Sequence, residues 1–103
     1  MDNTTSRLTA FFQEKGVDVF GTVPASRLES EPPGFSPADL LPGARSLLCV
    51  GVPVPRGIFL SKEKAARLYW RTANIYYRQI DALLLQAANL LEENAETAVP
   101  VFG

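Results

Sequence analysis

The side chains of this chain that could do chemistry are few. Its 103 residues include no histidine and a single cysteine, Cys49. Histidine is the commonest general base and metal ligand, so its absence excludes Ser-His-Asp and Cys-His catalysis. One thiol cannot hold a zinc ion or an iron–sulfur cluster by itself, and it cannot form an internal disulfide. The sequence therefore predicts no catalytic residue and no metal site within this chain.

Cys49 itself lies inside an apolar run, residues 47–54. It has no basic partner beside it, and burial in apolar surroundings raises the pKa of a thiol. We therefore interpret Cys49 as a small buried core residue rather than as a nucleophile.

Cationic and aromatic side chains cluster in the second half of the chain. Arg67, Arg71 and Arg78 follow one another at spacings of four and seven residues, which places them roughly along one stripe of a helix. Four aromatic residues lie among them: Tyr69, Trp70, Tyr76 and Tyr77. The arginines form either a solvated face or a contact for phosphate or propionamide-type groups at a cleft. The rings indicate core packing or an interface between chains, and the alternative is a stacking platform for a flat cofactor.

A turn after the apolar run offers a second candidate surface. Pro53 and Pro55 remove two backbone donors, so the chain leaves its strand near Arg56 and Gly57. In open α/β sheets, ligands bind at the carboxyl ends of strands, where these two residues are expected. A solvated turn is the alternative, because no glycine-rich phosphate motif accompanies the two residues.

Periodicity and turn residues divide the chain into the elements that must position these side chains. We predict helices at 5–15 and 62–93, strands at 17–23, 46–54 and 98–102, and a proline-rich loop at 24–43. The run 46–54 is apolar on both faces, which is typical of a central strand. A crossover helix would place the third strand parallel to the second. The predicted fold is α/β, a small, mostly parallel three-stranded sheet with one short N-terminal helix and one long helix, and α+β is the alternative.

Two of these elements have further implications. The loop 24–43 is either a rigid connector with Phe35 anchored in it or a segment that folds over a binding cleft. The helix 62–93 would be about 45 Å long, too long for so small a sheet, so part of it must overhang, bend, or pack on something outside this chain. A chain that ends inside a strand indicates truncation, or a half-domain completed by another chain.

Composition sets the remaining limits. The net charge of −1 gives no electrostatic attraction to nucleic acid. No apolar run approaches the ~20 residues that span a bilayer, and the polar, acidic N-terminus does not look like a signal peptide. We expect one domain, residues 1–103, in the cytoplasm, without a nucleic-acid or membrane partner.

Several motifs in this order resemble the N-terminal segment of epoxyqueuosine reductase-like iron–sulfur proteins. These are cobalamin-dependent enzymes related to the reductive dehalogenases. The residues that carry the resemblance are the strand entry Gly16–Gly21, Pro33-Gly34, the element Pro37-Ala38-Asp39-Leu40-Leu41-Pro42-Gly43-Ala44-Arg45-Ser46, Asn74 with Tyr76-Tyr77, and Ala98–Val101. The Leu-Leu-Pro-Gly-Ala-Arg-Ser part is the most specific of these, and the likeness covers nearly the whole chain.

The resemblance implies a role within a larger enzyme. The chain would be the N-terminal part of the family domain, a scaffold and one wall of a cofactor cleft, and not active alone. It implies cobalamin and iron–sulfur clusters in the complete protein, none of them bound by this chain alone, because the family's glycine-rich element, acid residue and cysteine clusters are absent here. The cofactor-binding candidates are Arg56, Gly57, Asn74, Tyr77 and Arg78.

Two alternatives of other classes remain. One is a stand-alone binding module that completes its sheet by homodimerisation, with a ligand between the subunits. The other is a structural or regulatory domain that depends on a protein partner. The expected partners are therefore a missing C-terminal region or a second copy of the chain.

Overall fold

The computed structural model describes residues 3–17, 19–28, 30–32, 34 and 36–102, with the side chain of residue 3 excepted. Asp18 of the predicted first strand, Pro33 of the family motif and Phe35 of the loop lie outside the described residues. The helices are α1 (Asn3–Glu14), α2 (Pro37–Leu40) and α3 (Ala65–Glu93), and the strands are β1 (Val19–Pro24) and β2 (Ser46–Gly51). Short 3₁₀ turns cover Ala25–Leu28, Arg56–Ile58 and Lys62–Lys64.

The end of α1 is fixed by backbone hydrogen bonds that set the direction of the next segment. The Val17 amide donates to the Phe12 carbonyl at 2.8 Å, and the Gly16 amide donates to the Gln13 carbonyl at 3.1 Å. This pair of bonds is a Schellman motif, which requires a left-handed residue at its centre. Gly16 supplies it with φ +75°. The motif turns the chain so that Val17 is buried beside Phe12 in the core.

The sheet differs from the predicted one. It has two strands, β1 and β2, which pair antiparallel from Val19 opposite Gly51 to Pro24 opposite Ser46. The prediction of a mostly parallel three-stranded sheet in an α/β fold is therefore wrong, and the fold is a small α+β arrangement. In the described part of the connection, the elements are α2 and a 3₁₀ turn. The Ala25 amide donates to the Arg45 carbonyl at 2.9 Å, so the chain returns beside the end of β1 and enters β2 in the opposite direction.

The third predicted strand, 98–102, forms no ladder with β1 or β2. Its residues have no strand assignment, and Val99, Val101 and Phe102 are exposed. The apolar segment that predicted a strand therefore has no hydrogen-bonding strand partner among the described residues.

The sheet is covered on one face. Phe20, Leu48 and Val50 pack against the core cluster, on the side where the helices lie. The opposite face carries Val19, which is 58% exposed, and Cys49, which is also exposed. The predictions of a strand buried on both faces and of a buried Cys49 are therefore wrong, because one helical layer covers only one side of a two-stranded sheet.

The core is small and lies where α1, the sheet and the C-terminal half of α3 meet. Its buried residues are Leu8, Phe12, Val17, Ala87 and Ala88. Phe12 is 0% exposed, and its ring lies 4.9 Å from that of Phe20 and 5.1 Å from that of Phe11, centroid to centroid. From α3, the partly buried side chains that join this cluster are Leu83, Leu90 and Leu91.

The N-terminal half of α3, residues 65–78, contributes no side chain to the core cluster, and we call it the arm. Its neighbours are the 3₁₀ turns that precede it, with the Phe59 ring 5.8 Å from that of Tyr69. Helix α3 begins three residues later than predicted, because Lys62–Lys64 form a 3₁₀ turn. Ser61, which precedes this turn, makes no side-chain cap bond to it and donates its hydroxyl to the Gly57 carbonyl at 3.1 Å. The predicted overhang of the long helix is confirmed in this arm.

The molecule has a larger surface than a compact domain of its size. The radius of gyration is 16.0 Å, against about 13 Å for a compact domain of ~100 residues. The accessible surface is 7848 Å², about 2,100 Å² above the roughly 5,700 Å² expected of a compact protein of 11.3 kDa. Among the described helices, none combines the length and hydrophobicity needed to cross a membrane.

Replacing the central core side chain should unfold the domain readily. We expect Phe12→Ala to lower the free energy of unfolding by about 3–5 kcal/mol, because it leaves a cavity between α1 and the sheet. Urea denaturation followed by circular dichroism measures the change. Phe102→Ala removes the same atoms from a side chain that is 54% exposed, and it should change the free energy by less than about 0.5 kcal/mol. Equal effects of the two variants would contradict the position of the core.

The turn after α1 gives an independent test of the fold. Gly16→Ala should cost about 1 kcal/mol of unfolding free energy, because alanine is strained at φ +75° although no atom would clash with its Cβ. Gly21→Ala is the matched control, since it also meets no atom within 4 Å and has no positive φ. We expect its midpoint of thermal unfolding to stay near that of the unaltered chain, and a larger loss at Gly21 than at Gly16 would refute the Schellman turn.

Candidate functional site

An open concavity of the described structure lies along the arm. A groove of about 410 Å³ is lined by Trp70, Arg71, Asn74, Ile75 and Arg78. Trp70, Asn74 and Arg78 are four residues apart, so one helix brings them together over two turns without help from the rest of the fold. The groove is shallow, and α3 is the only element that contributes side chains to it.

Asn74 is held in place by its own helix. Its side-chain nitrogen donates a hydrogen bond of 2.8 Å to the Trp70 carbonyl. An amide carries two donor hydrogens and an acceptor oxygen, so this bond leaves polar capacity for a ligand or another protein surface. The bond also orders the side chain at the middle of the groove.

The groove contains groups that bind rather than groups that react. Trp70 is 67% exposed and Ile75 is 56% exposed, so a large apolar surface lies open to water. The guanidinium groups of Arg71 and Arg78 supply planar arrays of donors suited to carboxylate, phosphate or amide oxygens. No nucleophile or general base lines it. The chemistry available here is therefore recognition of a partly apolar group that carries anionic or carbonyl oxygens.

The structure joins some of the predicted cofactor-binding residues and separates others. Asn74 and Arg78 lie together in the groove. Tyr77 is exposed on the same helix but does not line the groove. Arg56 and Gly57 belong to the 3₁₀ turn Arg56–Ile58, outside the groove lining.

That turn lies on a different side of the arm. Phe59, which follows it, has its ring against Tyr69, and five residues of helix rotate Asn74 about 140° away from Tyr69. The five predicted residues therefore do not converge on one cleft formed by this chain. Arg56 and Gly57 would need a ligand or a second surface that reaches around the helix.

Three residues of the groove were not linked to the site by the sequence reasoning. The sequence analysis groups Trp70 with the aromatic cluster and Arg71 with the arginine stripe, and it does not single out Ile75. The signal that could have joined them is the four-residue repeat of Trp70, Asn74 and Arg78, which defines one line on a helix.

The proline-rich loop forms a smaller concavity at its own base. A groove of about 310 Å³ lies between residues from its two ends, including Ser26, Ser36 and Arg45. Ser36 begins α2 through a capping box, in which the Ala38 amide donates to the Ser36 hydroxyl at 3.2 Å and the Ser36 amide donates to Asp39 Oδ2 at 2.9 Å. These bonds order the loop at a distance from the α3 groove along the chain. Whether the loop covers a cleft stays a prediction.

The described residues contain no group of three or more His, Cys, Asp and Glu placed to hold a metal ion. No family model matches the chain, and neither the curated proteins nor the solved structures provide a match. The chemistry assigned to the groove therefore follows from its own side chains.

The exposed thiol gives a test of the uncovered sheet face. We expect Cys49 in the folded chain to react with a water-soluble disulfide reagent at a rate within on the order of tenfold of the urea-unfolded chain, because access requires no opening of the structure. Absorbance of the released thiol measures the rate, and Cys49→Ser is the blank. A folded-state rate that is slower by several orders of magnitude would show that another surface covers this face.

Proposed function

We propose that the chain is the N-terminal scaffold and one cofactor-cleft wall of an epoxyqueuosine reductase-like iron–sulfur oxidoreductase, and that it is not active alone. The observation that carries this proposal is the open groove on the arm. The groove contains Asn74, which belongs to the family-like pattern. Arg78, which the sequence analysis names as a cofactor-binding candidate, lines the same groove. The proposal also rests on the Leu-Leu-Pro-Gly-Ala-Arg-Ser element that leads into β2.

The groove suits a large flat ligand such as a corrinoid. Trp70 and Ile75 offer apolar contact to the edge or face of the ring. Asn74, Arg71 and Arg78 bind the amide side chains and the phosphate of such a ligand, which present carbonyl and anionic oxygens. When bound, the corrinoid would supply the redox chemistry of the complete protein, and this chain contributes orientation and exclusion of water from one side.

The remaining parts of the enzyme must come from elsewhere. Four-iron clusters are held by several cysteine thiolates, and this chain has one cysteine. The clusters and the acid residue are therefore assigned to a further region of the protein. That region would also cover the exposed side chains of the arm, notably Leu68, Trp70 and Tyr77. We assign the protein to the cytoplasm, where a single unpaired cysteine is the ordinary state.

A second candidate function is a stand-alone binding module that completes its sheet by homodimerisation. It is favoured by the two-stranded sheet, because an isolated antiparallel pair is marginally stable and leaves both edges open. The segment that contains Val99 and Val101, both exposed, has the composition of an additional strand.

Binding of a corrinoid tests the first proposal directly, since Trp70 is the single tryptophan of the chain and lies in the groove. We expect added hydroxocobalamin to quench its emission with saturation and with a Kd on the order of 0.1 mM, because one wall buries only part of the ligand. Asn74→Ala and Arg78→Ala should weaken binding by about 3- to 10-fold. Arg7→Ala on α1 is the control and should leave it unchanged.

Free N-acetyltryptophanamide, titrated in parallel, gives the quenching that arises from light absorption alone. If the emission of the chain falls by the same fraction as that of N-acetyltryptophanamide at every corrinoid concentration, the proposed corrinoid-binding wall is refuted. Turnover by the isolated chain with cobalamin and a low-potential donor would refute the statement that it is inactive alone.

A further inference from the structure

The outer edge of β2 carries backbone groups that β1 does not use. The Ala25 amide donates to the Arg45 carbonyl, and the register of the two strands continues from this bond. Because alternate residues of an antiparallel strand bond to its partner, the odd-numbered residues of β2 bond to β1. The amides and carbonyls of Ser46, Leu48 and Val50 therefore point away from β1. No backbone hydrogen bond from another described residue reaches them.

This edge lacks the features that normally keep strand edges from pairing. Residues 46–51 include no proline and no charged side chain, and their register with β1 contains no bulge. The strand β1, by contrast, ends in Pro24, which has no amide to donate. Leu48 and Val50 pack against the core through one face of the sheet, and β2 is an edge strand of that sheet. The edge of β2 is therefore suited to accept another strand.

We propose that a second copy of this chain pairs with this edge, so that the two β2 strands run antiparallel and the dimer contains one four-stranded sheet. The register that uses every outward group of β2 places Leu48 opposite Leu48 of the second copy and Ser46 opposite its Val50. Each of these pairs exchanges two backbone hydrogen bonds. A two-fold axis through the Leu48 pair repeats every contact, so the interface is formed by the same strand of both copies.

A second copy is the occupant because the edge is complementary to itself. Since residues 46–51 are uncharged, two copies meet without repulsion and no charge selects a different partner. Arg45, which precedes them, falls opposite Gly51 of the second copy, so the two arginines lie at opposite ends of the ladder. On the uncovered face, Cys49 lies beside Leu47 of the second copy, and such apolar cross-strand pairs stabilise a sheet.

The dimer also answers the weakness of the isolated sheet. Two antiparallel strands are marginally stable alone, whereas three or more strands with an apolar face support one another. The chain exposes about 2,100 Å² more than a compact protein of its mass, and a standard interface needs ~800 Å² from each partner. The two-fold axis is perpendicular to the sheet, so the helices of both copies lie on one side and the face that carries Cys49 stays open on the other.

This inference deepens the second candidate function, homodimerisation, and rests on it, because it names the strand and the register that complete the sheet. It is independent of the corrinoid wall, since the groove with Trp70 lies on α3. Quenching of Trp70 emission tests that wall, and the two experiments below test the strand pairing.

Cross-linking between two kinds of chain tests the register. The unaltered chain, whose one thiol is Cys49, is mixed with a chain that carries Leu47→Cys and Cys49→Ser. We expect mild oxidation to link the two, because residues 47 and 49 lie opposite each other with Cβ atoms about 4.5–5.5 Å apart. Either chain oxidised alone should stay unlinked, since its thiols are diagonal neighbours with Cα atoms about 7–8 Å apart. A non-reducing gel with mass spectrometry identifies the product.

Sedimentation equilibrium tests the backbone pairing. The unaltered chain should show twice its 11.3 kDa mass at about 100 µM. Ser46→Pro should weaken dimerisation by about tenfold or more, because it removes one outward amide from each copy at the first residue of β2, where proline is tolerated. Ser46→Ala is the matched control, since it loses the same hydroxyl but keeps the amide, and its Kd should not change. Circular dichroism checks that both variants fold.

The possible failures can be told apart. A monomeric unaltered chain would overturn both this inference and the second candidate function. A dimer that Ser46→Pro and Ser46→Ala affect equally would overturn this inference alone. The same holds if the mixed chains do not link, or if they link no more than either chain alone. Should Ser46→Pro fail to fold, the cross-link decides, because it leaves Ser46 unaltered.

Discussion

The burial of Phe12 is the interaction on which the rest of the structure depends. Its ring is the largest side chain that is fully removed from water, and three elements meet at it. Helix α1 supplies it, β1 contributes Phe20 against its face, and α3 contributes Ala87 to the same cluster. The Schellman turn matters because it places Val17 in this cluster immediately before the chain enters β1. Because few residues are buried, the remaining core side chains cannot fill the space that the Phe12 ring would leave.

The position of that core decides where a function can lie. Because the core draws only on the C-terminal half of α3, the other half is covered only in part, by the 3₁₀ turns that precede it. The side chains suited to recognition are on this half. Trp70, Asn74 and Arg78 are therefore arranged by helical geometry alone. The helix fixes the spacing of these side chains along its axis, but no other element encloses the groove from the side. It can select a partner by the spacing of its groups, whereas enclosing a ligand requires a second wall.

The sequence was informative where local periodicity decides the outcome and misleading where distant segments must meet. The two helices and the strands near 17–23 and 46–54 occur close to their predicted bounds, because caps, glycines and apolar spacing are local signals. The apolar run through Cys49 could not reveal how many faces of its strand are covered. The choice of Arg56 and Gly57 depended on a rule for parallel sheets, which does not apply to an antiparallel pair. Asn74 and Arg78 lie in one groove because a helix fixes their relation, while Trp70 and Arg71 were assigned to separate clusters.

The charged residues at the two ends of α3 oppose the dipole of the helix, with Arg67 in its first turn and Glu92 and Glu93 in its last. A helix carries partial positive charge at its start and partial negative charge at its end, so acidic residues favour the start and basic residues the end. Helix α3 has the opposite arrangement, with no acidic residue in its first turn, no basic residue in its last turn, and no side-chain cap bond from Lys64. Each such charge disfavours the isolated helix by about 0.3–1 kcal/mol at low ionic strength. The first turn of α3, which has no side-chain cap, should therefore fray more readily than a capped one, and a molecule that neutralises these charges would stabilise the helix.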